Sequence, residues 1–288
     1  MSDSSLNLPQ ESLLAIRDSA RAHAYEHYLS ALLAPREFKQ DLITLAAFVG
    51  EIERVPLIVS DAALGEIRIR WWLDWLEGLG GQARRVSPVA DALSGVIARR
   101  DLPVEVFIDL VEARALELYA QPFADKASFD DFVIKTSGAA TVLAGKILGR
   151  CEVRGATEDA LLELGCAFGA VRQLLRLPHL ASRGRWGLYR GDAEIEAAAL
   201  QDPAELERAD AVRRRAVVEA RLYLEDARGD LKGEVRSTFQ AGAGLPAALV
   251  EPYLRVLEKQ EDWLRSAANI SPLSRVWRLW RAQRSGRI

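Results

Sequence analysis

Apolar residues along this chain recur every third and fourth position, the spacing that lines one face of an α-helix. Phe38, Leu42, Leu45, Val49 and Ile52 make one such stripe. Leu206, Ala209, Val212, Ala216, Ala220, Tyr223 and Ala227 make another. No stretch keeps a period of two for long, and hairpin-type turn dipeptides are absent. The periodicity predicts helices near 9–33, 36–56, 61–78, 88–99, 102–120, 129–149, 158–177, 204–228, 230–240, 245–266 and 272–284. Asp101, Ser128 and Thr157 with Glu158 and Asp159 mark three expected helix starts, each an acceptor for first-turn amides. The longest expected loop, 178–203, contains Pro178, Gly184, Gly187, Gly191 and Pro203. With neither a repeat nor a low-complexity linker, the expected organisation is one all-α domain over 1–288.

Composition narrows the classes. A chain of 288 residues, 49% hydrophobic, can bury a sizeable core. Its net charge of −3 gives no overall pull toward nucleic acid or an anionic surface. Cys151 and Cys166 cannot found a disulfide framework and fit a reducing compartment. They are expected to be small buried thiols. Met1 to Gln10 is polar, which argues against a signal or transit peptide. No run reaches the roughly 18 apolar residues of a membrane span. The expected location is cytoplasmic, either free or peripheral on the inner membrane.

Leu45-Ala46-Ala47-Phe48-Val49-Gly50-Glu51-Ile52-Glu53 lies on a periodic helix, and Gly165-Cys166-Ala167-Phe168-Gly169 leads to Ser182-Arg183-Gly184-Arg185. Tyr28-Leu29, Leu32-Leu33-Ala34-Pro35, Glu112-Ala113-Arg114-Ala115-Leu116-Glu117-Leu118 and Leu245-Pro246-Ala247-Ala248-Leu249 fall in order around them. Together these segments resemble the squalene/phytoene synthase family, which joins two prenyl diphosphates head to head. Leu64-Gly65-Glu66-Ile67-Arg68-Ile69-Arg70-Trp71-Trp72 is similar to the signature of a branch that includes a mitochondrial complex I assembly factor and alphaproteobacterial proteins. The resemblance implies an isoprenoid (terpenoid) synthase-like helical domain around a central cavity.

It also implies two helices that each carry a pair of aspartates, one turn apart, holding magnesium on the substrate diphosphates. Here those positions read Glu53-Arg54-Val55-Pro56-Leu57 and Arg176-Leu177-Pro178-His179-Leu180, and residues 172–185 contain no acid. Magnesium takes hard oxygen ligands, typically one or two carboxylates plus phosphate, and Glu53 alone is a poor trap. A non-catalytic member with an assembly-factor or lipid-binding role is therefore expected. The alternative is a divergent prenyl diphosphate transferase in which Glu51, Glu53 or Glu117 forms an unusual Mg²⁺ site. No cofactor is expected otherwise.

Arg172 and Arg176 share a helix face, and Arg54 is expected to point near them. Guanidinium binds phosphate without metal, so Glu53, Arg54, Arg68, Trp72, Arg114, Glu117, Arg172, Arg176 and Arg185 are candidate cavity or anionic-ligand residues. Two readings stay open. Either the arginines receive a lipid-like anion, or they pair with Glu51, Glu53, Glu112 or Glu117 and close the cavity.

Three other patterns bear on function. His23-Ala24-Tyr25-Glu26-His27 matches the H-x-x-E-H zinc-hydrolase pattern, against a solvated helix face. Trp71, Trp72 and Trp75 form a conceivable stacking platform, but without a basic stripe they are expected to pack in the core. After Asp262 the chain has no acid, while Arg265, Arg275, Arg278, Arg281, Arg284 and Arg287 follow, interleaved with Leu273, Val276, Trp277, Leu279 and Trp280. This basic amphipathic helix, about 271–284, reads either as a membrane-surface element or as a helix docked by its apolar side. Trp277, Trp280, Arg278 and Arg281 are its candidate membrane contacts. The partners expected are thus a lipid or prenyl phosphate, a membrane surface, or a respiratory-complex subunit, and not nucleic acid.

Overall fold

The computed structural model describes residues 9–80, 87–120, 123–149, 155–189, 195 and 199–288. Every regular element among them is helical. Cys151 and Gly191 lie outside the described residues, so expectations that fall on them are left there.

The chain opens with α1 (Gln10–His23) and α2 (Tyr25–Leu33), which were expected as one helix. They break at Ala24, whose backbone turns to φ −136° and ψ 53°. Both helices pack against α3 (Arg36–Ile58), with α4 (Ala62–Glu77) and α5 (Pro88–Arg100) also on α3. The expected start at Asp101 is instead the left-handed end of α5, with φ 49°. Helix α6 (Val104–Ala115) begins behind Pro103 and tightens into a 3₁₀ turn, Leu116–Leu118.

The segment expected as 129–149 is three pieces. Helix α7 (Lys126–Val133) is capped by Asp125, whose side chain accepts from the Ser128 amide at 2.8 Å. The Ser128 hydroxyl accepts from the Asp125 amide at 3.2 Å in return, so Ser128 is the third residue of the helix rather than its cap. A π-helical turn, Ile134–Gly138, follows, and then α8 (Ala139–Ile147). These elements pack on α9 (Ala156–Ala181), which has more buried residues than any other described helix. A Cβ on Gly165 would lie 2.4 Å from the Ser137 carbonyl oxygen, and one on Gly169 would lie 2.6 Å from Ser137 Cβ. Those two glycines let α9 lie directly on the π turn.

Helix α9 runs past Pro178 to Ala181, one turn beyond expectation. The proline costs one bond to the carbonyl four residues earlier. Below it the amides of Ser182, Arg183, Gly184 and Arg185 turn back onto α9 carbonyls at 2.9–3.0 Å and finish the helix. The long α10 (Pro203–Asp230), capped by Asp202, covers α9. Helix α11 (Gly233–Ala241), a 3₁₀ turn (Leu245–Leu249), α12 (Val250–Lys259) and α13 (Pro272–Ser285) complete the chain. The helix expected over 245–266 is therefore shorter and starts as 3₁₀.

Candidate functional site: a buried ion cluster between α3, α6 and α9

Where α3, the end of α6 and α9 meet, charged side chains replace the apolar core. Glu53, Arg114, Glu117, Gln173 and Arg176 are all at most 4% exposed. Glu53 accepts from Arg114 Nη2 through Oε1 and from Arg172 Nη2 through Oε2, each at 2.8 Å. Glu117 accepts four contacts. Arg114 Nη1 donates to Oε2 at 2.9 Å and Gln173 Nε2 to Oε1 at 2.9 Å. Arg176 Nη1 reaches both oxygens, at 2.9 and 3.1 Å. Arg176 Nη2 donates to the Glu53 main-chain carbonyl at 2.8 Å. Arg185 Nη1 donates to the carbonyl of Pro56, one of the last-turn acceptors that α3 leaves without a helical partner.

A third carboxylate, Glu26, extends the cluster. It is 5% exposed, accepts from the Tyr253 hydroxyl at 2.8 Å, and faces Arg172 at 3.8 Å and Arg275 of α13 at 3.5 Å. In the sequence Glu26 stands out only within the His23-to-His27 motif. The break at Ala24 disposes of that motif's geometry, because His23 and His27 no longer share one helix. Glu26 is buried rather than on a solvated face. His23 bonds Arg54 at 2.7 Å, and His27 stacks edge-on against Phe168. His179 is exposed on another helix, and no group of three metal-ligating side chains assembles among the described residues.

The electrostatics follow from this pairing. Burial pushes the carboxyls of Glu53 and Glu117 up, but the guanidiniums around them outweigh it and hold both below the ordinary range. For Glu53 these are Arg172, Arg114 and Arg176; for Glu117 they are Arg176 and Arg114. Burial pushes the Glu26 carboxyl up as well, but Arg172, the Tyr253 hydroxyl and Arg275 outweigh it and hold it low. Burial keeps His27 neutral by lowering its pKa.

Sequence placed nine residues at this site, and the structure separates them. Glu53, Arg114, Glu117, Arg172 and Arg176 come together, with Arg185 at the edge. Arg54, expected beside Arg176, points the other way. Successive residues on a helix are about 100° apart, so when Glu53 turns inward Arg54 turns out to His23. Arg54 lines a surface groove of about 420 Å³ with Arg68, Trp71 and the edge of Trp72. Arg68 is exposed there, whereas Trp72 is 4% exposed and packs edge-on with Phe48, Trp71 and Trp75. Of the two readings for the buried arginines, the geometry matches pairing with Glu53 and Glu117, joined by Glu26; Glu112 is exposed and Glu51 bonds Ser19. Beside His27 and Ser30 the enclosed space is about 30 Å³, room for water but not for a lipid chain.

Magnesium does not fit this set. A carboxylate offers about four lone-pair positions, and three donors make four contacts to those of Glu117. Both oxygens of Glu53 are engaged. A cation arriving here would meet three guanidiniums before it met a free oxygen.

A sequence profile described as squalene/phytoene synthase matches residues 20–281. The chain belongs to the squalene/phytoene synthase family. Among solved structures it is similar to a dehydrosqualene synthase in complex with ligand, with TM-score 0.73, 16% identity and 96% of each chain covered. It is also similar to squalene synthase HpnC from Alicyclobacillus acidocaldarius, with TM-score 0.60, 18% identity and 97% of each chain covered. At these identities the likeness shows the fold, an all-α isoprenoid synthase-like domain. Among curated proteins it resembles the human NADH dehydrogenase (ubiquinone) complex I, assembly factor 6, at 26% identity over 163 residues. That match covers 57% of this chain and 48% of the relative, so the chain spans about half the length of the relatives it matches. The bovine counterpart is 25% identical over 165 residues, 57% of this chain and 49% of that one.

Proposed function

We propose that this protein is a non-catalytic member of its family that serves as an assembly factor for a respiratory membrane complex of the complex I type, working from the cytoplasmic side of the inner membrane. The observation that carries the reading is the saturation of Glu53 and Glu117 by Arg114, Arg172 and Arg176. Prenyl coupling needs help for a departing diphosphate, which a metal supplies as a Lewis acid. Here the carboxylates that would gather metal are spent on internal cations, and the space beside His27 and Ser30, about 30 Å³, is far too small for two prenyl chains. The resemblance to relatives named as complex I assembly factor 6 supports the assembly role. An internal lipid ligand has no support in the 30 Å³ void.

Two measurements test this. Incubation with farnesyl or geranylgeranyl diphosphate and Mg²⁺ should release no diphosphate, and turnover would sink the proposal in favour of a divergent transferase. Deletion of the gene should deplete assembled complex I on native gels; an unchanged complex would remove the assembly role.

A further inference from the structure

Helix α13 carries two apolar stripes, and the fold uses one. Leu279 and Ala282 are buried, at 0% and 4% exposed, against α2, α11 and the 245–249 turn. Hydrogen bonds pin that side: Gln283 Nε2 to the Leu33 carbonyl at 2.6 Å, Gln240 Nε2 to the Gln283 carbonyl at 2.9 Å, and Arg236 Nε to the Gly286 carbonyl at 3.0 Å. The second stripe, Leu273, Val276, Trp277 and Trp280, has the i, i+3, i+4, i+7 spacing of one helical face. These four are 84%, 46%, 49% and 47% exposed. The docked side expected to consume the apolar residues is a different side from the one that bears the tryptophans.

We propose that this outer stripe seats the protein on an anionic lipid surface, with Trp277 and Trp280 at headgroup depth and the flanking arginines on lipid phosphates. The proposal is independent of the assembly role. Charge decides the occupant. Arg281 lies over the Trp277 ring at 5.3 Å and Arg284 over the Trp280 ring at 5.4 Å, so each indole is paired with a guanidinium. Arg278, Arg281, Arg287 and Ser285 line an adjoining groove of about 320 Å³. No acid follows Asp262. A second copy of this face would set arginines against arginines, whereas anionic lipid complements them. Tryptophan favours the boundary between water and hydrocarbon, where its ring is buried and its N–H stays wet. Because the inner stripe is fixed to the body, the outer stripe is presented as a rigid edge, with no ordering needed on contact.

The test is flotation of the full chain with phosphatidylcholine vesicles that contain phosphatidylglycerol or cardiolipin, against phosphatidylcholine alone. The expected result is binding to the anionic vesicles, weakened by added salt, and reduced about tenfold or more in W277S/W280S and in R281E/R284E. All four replaced side chains are on the solvent side, so circular dichroism and the thermal midpoint should stay unchanged, which separates lost docking from lost folding. Absence of vesicle binding, equal binding to neutral vesicles, or binding unaffected by both variants would overturn the proposal. So would self-association, or capture of an acidic protein, that W277S/W280S abolishes while vesicle binding is absent.

Discussion

Arg176 and Glu117, on different helical segments and both buried, share a two-pronged contact in which Nη1 reaches Oε1 at 2.9 Å and Oε2 at 3.1 Å. The pair works as one edge of a set in which Glu26, Glu53 and Glu117 face Arg114, Arg172, Arg176 and, at the Glu26 end, Arg275. Taking such ions from water is costly, and the gain from pairing only roughly offsets it. Removing one partner is different, because the other is left charged in the core. Glu117→Gln should therefore destabilise the protein by about 3–5 kcal/mol. Glu66→Gln, which removes only an exposed contact to the Tyr119 hydroxyl, should cost about 1 kcal/mol or less. Urea unfolding of both variants checks the contrast; equal small losses would mean that Glu117 is not held as described.

The same pairing fixes a pH dependence. Glu26, Glu53 and Glu117 are held below the ordinary carboxyl value of 4.5 in the folded chain. The unfolded chain therefore takes up protons first as acid is added. Their contribution is full above 4.5 and drains away as pH falls below it. His27 acts in the same direction from 6.5 downward, because burial lowers its folded value and only the unfolded chain protonates there. Each group that titrates this way steepens the loss by about 1.4 kcal/mol per pH unit. Chemical denaturation from pH 7 to about pH 3 should show falling stability, and Glu53→Gln should show a shallower slope. A flat profile would contradict the pairing.

How far these features could be read from residues alone differs from place to place. Helix order followed from period, since the stripe through Leu42, Leu45, Val49 and Ile52 is the buried face of α3, but helix number did not, because α1 with α2 and α7 with α8 were each expected as one helix. The inward course of Glu53 was also legible: it lies four residues after Val49, on that stripe, while Arg54 lies off it. The break at Ala24 was not, because alanine is the best helix former. It arises from packing, where α3 approaches so closely that a Cβ on Gly50 would lie 2.8 Å from His23 Cβ. Glu26 was hidden for the same reason. Its spacing to Ser30 and its neighbours Tyr25 and Leu29 hinted at a semi-buried face, but only the break turns it toward Arg172 and Tyr253. The exposed tryptophan stripe of α13 could not be told from a docked one, because both stripes of that helix are apolar and only tertiary contacts choose between them.

The glycines of α9 give a ranked prediction. At Gly165 an added methyl meets a backbone carbonyl and the Gly138 Cα, at 2.4 and 2.7 Å, neither of which can swing aside. At Gly169 it meets Ser137 Cβ and Oγ at 2.6 and 2.7 Å, of which only the hydroxyl can rotate away, so the relief is partial. Overpacking typically costs about 1–3 kcal/mol, so Gly165→Ala should fall at the upper end and Gly169→Ala at the lower. Gly229→Ala, near the end of α10 with no atom within 4 Å of the new methyl, should instead stabilise by about 0.5–1 kcal/mol. Thermal midpoints of the three variants give the order directly, and Gly165→Ala at or above the parent would deny the close contact between α9 and the π turn.

Cys166 reports on that same contact without disturbing it. Its thiol is buried on α9, and a methyl placed on Gly138 of the π turn would lie 3.3 Å from its sulfur. Burial, with Asp130 and Glu163 adding negative charge nearby, pushes the thiol up to about 12. Only the thiolate attacks a disulfide reagent, so at about pH 8 two barriers coincide: the sulfur is covered and it is protonated. In a Cys151→Ser background the native protein should leave an aromatic disulfide reagent unreacted, and one thiol should appear at once in denaturant. Labelling under native conditions should then track unfolding and quicken in Gly165→Ala, which loosens the contact between α9 and the π turn where the sulfur is covered. Prompt labelling of the folded parent would show that α9 and the π turn part on their own, and would remove the rigid wall on which the Arg172 and Arg176 geometry depends.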